Sequence, residues 1–435
     1  MSWTGVLDMI RKFRLGVLRP LAGVRASRAR SRARGTFVGV TGSSGKSTTT
    51  ALIAAILSQK GTVRSQVMDN TIKPLMRTLR QAEDADFVVA ELGVGRSGQM
   101  HGMAALLRPD VSVVTMVGLE HRSAFRSSDN IAQEKGELVA ATPEHGFTVL
   151  NADDPRVMGM AARTKAQVVT FGYGPSADCR IAAVRGGIPD GITVSLVWKD
   201  SAFEVPTKLV GPHLAIDVAA AAAVGLQLGL TPEMVSAGVA DCPALNLRLS
   251  MHQIPNGPLI VADSAKAPQA TLHLAFEALK AAPAVRRRIV LGTISDYAGD
   301  RRRVYKSAVR DALAAAHEVI LINDSATADQ YAPEAARDGR YRIFPSTRAA
   351  ADYLAQSATA DDVILLKGSA NFHLERILLH LAGDVRCWEQ SCGRGESCFR
   401  CGLSAFDHAA HRGIRRKRRW LSLWRPAGSR ETRVS

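Results

Sequence analysis

The chain has 435 residues, 46% hydrophobic and 22% charged, which suits a globular protein of two or three domains with well-buried cores. Its net charge of +16 sits at the ends: residues 1–35 carry nine Lys/Arg against one Asp, and residues 383–435 carry twelve against five acidic residues. The nearly neutral body argues against a nucleic-acid-binding core. The lack of any apolar run of about 18 residues, or of a signal-peptide pattern, makes the cytoplasm the expected location.

At the N-terminus Trp3, Val6, Leu7, Ile10, Phe13, Val17, Leu18 and Leu21 recur at helical spacing with Arg11, Lys12 and Arg14 between them. This is a basic amphipathic helix, interrupted at Gly16 and Pro20, that either lies on an anionic membrane surface or packs on the body. The arginine-rich run 25–34 reads as a flexible, solvated linker.

A β-prone run (Thr36, Phe37, Val38, Val40) then enters a loop with Gly39, Gly42 and Gly45, closed by Lys46 and Ser47 and followed by a helix-prone apolar segment at 51–57. Strand, glycine loop and helix start form the context of a phosphate-binding loop. Glycines let backbone N–H groups of residues such as Ser43, Ser44 and Thr48 turn toward phosphate, and the helix N-terminus adds positive potential. Lys46 is expected to reach the terminal phosphates and the Ser47 hydroxyl to hold magnesium. The spacing is G-x-x-G-x-x-G-K-S, with Val40 where the strict motif has its first glycine. The expected ligand is a nucleoside triphosphate with magnesium.

Beyond the loop, buried parallel strands are expected at 86–92, ending at Glu91, at 111–117, leading to Glu120 and His121, and at 148–151, ending at Asn151. Strands that deliver polar groups past their carboxyl ends, with helices between, describe an open α/β sheet with its site along that edge. Residues 178–210 read as a small antiparallel insertion and 213–240 as one or two Ala-rich helices. A second α/β pattern follows, with strands at 259–262, 289–292, 319–322 and 363–366. The domain plan is therefore an N-terminal arm (1–35), a P-loop-type ATP-binding domain with a parallel sheet (36–245), a Rossmann-like α/β domain (246–382) and a Cys-rich basic tail (383–435).

In order, the residues GVTGSSGKSTT (39–49), ELG (91–93), His121, AQEKGE (132–137), NADD (151–154), GPH (211–213), Arg248, DS (263–264) and KGS (367–369) resemble the Mur ligase superfamily. DNTIKPL (69–75) and KGS are most similar to the branch that adds D-alanyl-D-alanine. The resemblance implies an ATP-dependent carboxylate–amine ligase working through an acyl phosphate on small-molecule or peptide substrates. It implies that Lys46 binds the terminal phosphates and that Ser47 and Glu91 hold one magnesium ion. His121 and a carbamylated Lys135 would hold a second. By the same resemblance Asn151, Asp217, Arg248 and Asp263 contact the nucleotide, and Lys367 and Ser369 face the amine substrate.

Four departures qualify the likeness. Asp217 stands where the family has an adenine-contacting Asn. The segment at 263–268 is one residue short, and DRR at 300–302 is more similar to polymer-forming relatives. Finally, a basic arm of 35 residues stands before the loop in place of the family's UDP-sugar-binding domain, so an acceptor other than a standard UDP-MurNAc-peptide is expected. The alternative is a degenerate ligase acting as an ATP-binding subunit or scaffold with a partner. No guanine-reading N-K-x-D element supports a GTPase.

In the tail, Cys387, Cys392, Cys398 and Cys401 lie within fifteen residues, the last two in C-x-x-C spacing. Structural zinc, unliganded or redox thiols, and a poorly ordered tail all fit that spacing. A basic-aromatic run, 415–424, favours a membrane interface over nucleic acid, which would place the protein at the inner face of the membrane.

Overall fold

The computed structural model describes residues 19–118, 125, 127–323, 330–390, 392–393 and 397–415. The amphipathic pattern up to Leu18, His121, and the basic-aromatic run from residue 416 onward lie outside the described residues. The chain forms two compact units, Met1–Leu245 and Asn246–Ser435.

The first unit is built on a nine-stranded sheet in the order β2-β3-β1-β4-β5-β6-β7-β8-β9. The strands are β1 Thr36–Thr41, β2 Val63–Gln66, β3 Phe87–Glu91, β4 Val111–Val114, β5 Phe147–Asn151, β6 Gln167–Gly172, β7 Cys179–Gly187, β8 Gly191–Trp198 and β9 Ser201–Pro206. Every residue of β3, β4 and β5 is buried, as expected of parallel strands covered on both faces. Alternation within β1 divides the core. Val38 and Val40 pack with Leu52, Ile53 and alanines 219–223 on one face, while Phe37 packs with Leu75, Met100 and Leu138 on the other. The segment expected to be antiparallel, 178–210, forms the antiparallel run β7–β9, and because β7 pairs with β6 it extends the same sheet.

The run expected to be a linker at 25–34 is instead largely helix α1, Arg19–Arg32. Pro20 falls in its first turn, where the missing N–H costs nothing. Ala26 and Ala33 are buried against the first unit's core. The Arg30 guanidinium stacks 3.5 Å from the Phe37 ring centroid and donates to Leu107 O at 2.6 Å and Arg108 O at 2.7 Å. Small residues and one anchored arginine thus dock a segment whose charge density suggested solvation.

The second unit has a six-stranded sheet, β10-β11-β15-β12-β13-β14, parallel except for β10. Its strands are β10 Ser250–Gln253, β11 Leu259–Asp263, β12 Arg286–Leu291, β13 Glu318–Ile322, β14 Tyr341–Phe344 and β15 Asp362–Lys367. Beyond the last long helix, Glu375–Ala382, the chain stays on this unit. Trp388 and Phe399 pack against its core, and the Phe399 ring stacks on His252 with centroids 5.8 Å apart.

Candidate active site

Strand order reverses at β1, whose neighbours are β3 and β4, and the glycine loop springs from its carboxyl end at that crevice. Helix α2 (Lys46–Leu57) starts directly after Gly45. Gly42 and Gly45 adopt φ of 151° and 80°, and an added Cβ would collide with Thr115 Oγ1 at the first and Asp217 Oδ1 at the second. These positions therefore require glycine for both conformation and close approach. The loop is tied down by Ser43 N to Met116 O (2.8 Å), Ser43 Oγ to Gly118 O (3.0 Å) and Thr115 Oγ1 to Ser44 O (2.5 Å). Lys46 Nζ lies in the mouth, donating to Gly42 O at 2.5 Å and Ser43 O at 3.5 Å. Ser44 is exposed and Thr48 half-buried at the start of α2.

Glu91, the last residue of β3, is 1% exposed. Its Oε2 accepts from Ser47 Oγ at 2.8 Å and Met68 N at 2.7 Å, and its Oε1 accepts from Asn70 Nδ2 at 3.0 Å. Met68 takes φ of 66° to aim its N–H at the carboxylate. Sequence reasoning assigned no role to Met68 or Asn70; the signal was present in DNTIKPL, whose second residue is Asn70. A buried carboxylate beside a P-loop serine, held only by neutral donors among the described residues, suits a divalent cation.

Lys135 is fully buried on the helix Ser128–Ala140, and its Nζ donates to Gly42 O at 2.9 Å, so it meets Lys46 on one carbonyl. Asp217 Oδ1 accepts from Thr49 Oγ1 at 3.0 Å, beneath the loop. Asn151 bridges two backbone segments, donating to Thr115 O at 2.8 Å and accepting from Asp153 N at 3.0 Å. The structure thus brings Lys46, Ser47, Glu91, Lys135 and Asp217 together around residues 42–49, with Asn151 bracing the adjacent β4 end.

In the second unit, Lys367 at the end of β15 donates to Asp263 Oδ2 at 2.6 Å and to Lys266 O at 3.0 Å. Ser369 follows two residues later, its N–H bonded to Thr293 O at 2.9 Å. Arg248 lies between Leu247 and Leu249, both with positive φ (65° and 51°), and its buried Nε has no hydrogen-bond partner.

The four tail cysteines reach one cavity of about 10 Å³, with His373 and Arg376 in its wall. Burial, then the Glu375 charge, pushes the Cys398 thiol up to about 12 against the pull of Arg376. Cys179 and Cys242 are buried elsewhere, in the first unit, and burial raises them to about 12 and about 11.

The Mur ligase middle domain matches residues 40–225, and the Mur ligase glutamate ligase domain matches residues 247–370. The UDP-N-acetylmuramoyl-tripeptide–D-alanyl-D-alanine ligase of Mycobacterium tuberculosis is 31% identical over 247 residues, covering 56% of this chain and 48% of the relative. The same-named ligase of Escherichia coli is 28% identical over 271 residues, covering 62% and 60% respectively. The chain spans between 48% and 60% of the length of these two relatives. The MurF ligase of Thermotoga maritima, solved in complex with ADP, superposes with a TM-score of 0.72 over 83% of each chain at 22% identity, a likeness of fold. No described helix is long and apolar enough to cross a membrane. With two consecutive domains matched in order over most of its length, the chain belongs to the Mur ligase superfamily.

Proposed function

We propose that the chain is an ATP-dependent carboxylate–amine ligase acting through an acyl phosphate. The observation that carries this reading is the convergence of Lys46, Lys135, Ser47 and Glu91 on the loop after β1. In the reaction, a substrate carboxylate oxygen attacks the γ-phosphorus of ATP, the bond to the bridging oxygen breaks, and ADP leaves. The amine nitrogen of the second substrate then attacks the acyl carbon. The C–N bond forms, the acyl C–O bond breaks, and phosphate and a proton are released.

Each residue has a part in this scheme. Lys46 turns from the loop carbonyls to the terminal phosphates, and first-turn N–H groups of α2 orient them. Ser47 and Glu91 would hold magnesium, which spreads the charge developing on the transferred phosphoryl group. Asp217 and Asn151 keep the loop and the neighbouring β4 end in position. In the second unit, the Lys367–Asp263 pair and Ser369 form the amine-facing group of this proposal.

Isotope transfer tests the reading. The full chain is incubated with magnesium, ATP, amines and 18O-carboxylates, including UDP-N-acetylmuramoyl-tripeptide, with Lys46→Ala as control. The proposal expects one labelled oxygen in the released phosphate, together with an amide product. ADP release without label transfer points to a simple phosphohydrolase. Absence of turnover with intact ATP binding returns the ATP-binding-subunit alternative.

A further inference from the structure

We propose that the cavity between the loop after β15 and the C-terminal tail is a structural zinc site whose ligands are the thiolates of Cys387, Cys392, Cys398 and Cys401. All four reach the wall of one cavity whose volume, about 10 Å³, suits a single ion or water. They arrive from three stretches of chain, at 387, 392 and 398–401. Cys387 is placed by its N–H bond to Ser404 O (3.0 Å), and Cys398 and Cys401 open and close the one-turn helix Cys398–Cys401, which ends at Gly402 with φ of 61°.

Two guanidinium groups face the sulfurs. Arg376 is 1% exposed, and no carboxylate pairs with it among the described residues. Its Nε donates to Cys398 Sγ at 3.2 Å, and Arg415 Nη2 donates to Cys401 Sγ at 3.1 Å. Arg376 Nη1 donates to Glu389 O at 2.8 Å, and the buried Glu375 carboxylate accepts from Cys398 N at 2.8 Å. Four thiolates on one dication carry a net charge of about −2, which two guanidinium groups offset as outer contacts.

His373 plays a different part. Its Nε2 is 3.3 Å from Cys392 Sγ and its Nδ1 is 3.6 Å from Cys398 Sγ. Nδ1 is closer to Glu375 Oε1, at 3.3 Å, so that carboxylate holds one side of the ring while the other side faces Cys392. His373, Glu375 and Cys398 bring their ligand atoms within 4.8 Å of one another, and Glu375 Oε2 is buried with no partner, so negative potential gathers on the Cys398 side of the cavity. Because His373 closes the loop that begins at Lys367 and Ser369, the ion would anchor the tail to that loop.

Metal content of the purified full chain is the test. One zinc per chain is expected, released on modification of the thiols, and cobalt substitution is expected to give the intense visible bands of a tetrahedral thiolate site. Cys392→Ser and Cys398→Ser should each lower zinc at least tenfold, whereas Cys179→Ser and His373→Gln should retain it. Far-UV circular dichroism and ATP binding by the first unit identify any variant that fails to fold. Substoichiometric zinc in the unmodified chain, a disulfide between any two of the four cysteines, or loss of zinc in a folded His373→Gln variant would overturn the proposal. These readouts are independent of ligase turnover.

Discussion

Ser47 Oγ donates to Glu91 Oε2 at 2.8 Å, linking the first turn of α2 to the last residue of β3 across 44 positions of sequence. The carboxylate is buried yet meets only neutral donors among the described residues, an arrangement that favours a cation arriving with the nucleotide. Glu91→Gln keeps the shape and removes the charge. The expected outcome is loss of the magnesium dependence of ATP binding and a fall in turnover of about 10²-fold, with the melting temperature unchanged or raised. Titration of a fluorescent ATP analogue with and without magnesium measures the first effect. An unaltered magnesium dependence would remove Glu91 from the metal site.

Gly45 and Asp217 are coupled in a way that can be measured. Gly45→Ala adds a Cβ that collides with Asp217 Oδ1 at a residue held at φ of 80°. The expected destabilisation is about 1–3 kcal/mol, read by chemical denaturation. Asp217→Ala in the same chain should recover the part due to collision and leave the part due to backbone strain. A double-mutant coupling of about 0.5 kcal/mol or more is therefore expected; strict additivity would mean the two do not touch.

Local chemistry made the loop and the parallel strands legible: largely apolar runs at 86–92, 111–117 and 148–151 announce the buried parallel strands found at 87–91, 111–114 and 147–151, and glycine spacing announces the turn at 42–45. What escaped depended on tertiary partners. Helix α1 looked like a solvated linker because its sequence is charged, and only Phe37 and the carbonyls at 107 and 108 explain how Arg30 docks it. Met68 and Asn70 acquire meaning only once β3 delivers Glu91 beside them. Likewise, C-x-x-C spacing suggested a metal, but His373 and Arg376 lie before the cysteines and join them only through the fold.

Lys135 and Lys46 both donate to Gly42 O, at 2.9 and 2.5 Å. Carbamylation of Lys135 would add carbon dioxide, release a proton and turn this donor into an anion able to bridge metal ions. Lys135→Ala is expected to lose about 10²-fold in turnover and to regain part of it with added short carboxylates, which can occupy the space of the missing group. A carbamate signal in carbon-13 spectra of the unmodified protein, fed labelled bicarbonate and absent from Lys135→Ala, checks the same point directly. Full activity in bicarbonate-free buffer with no such signal would leave Lys135 as a loop support alone.

Asp86 provides a pH-dependent tie between β2 and β3. Its Oδ2 accepts from Thr62 N at 2.7 Å and Thr62 Oγ1 at 2.8 Å, while Thr62 Oγ1 accepts from Asp86 N at 3.0 Å. The backbone N–H and then the hydroxyl of Thr62 hold the Asp86 carboxyl below the usual aspartate range. A carboxylate lowered in the folded state contributes stability above its unfolded value, about pH 4, and that contribution is lost as pH falls through the folded value. Thr62→Val removes the hydroxyl and should therefore lower the urea midpoint at pH 6. The difference between Thr62→Val and the unmodified chain should shrink as the pH drops below about 4 and Asp86 is protonated in both. A difference that stays constant across that range would show that the hydroxyl acts through packing and not through the carboxylate.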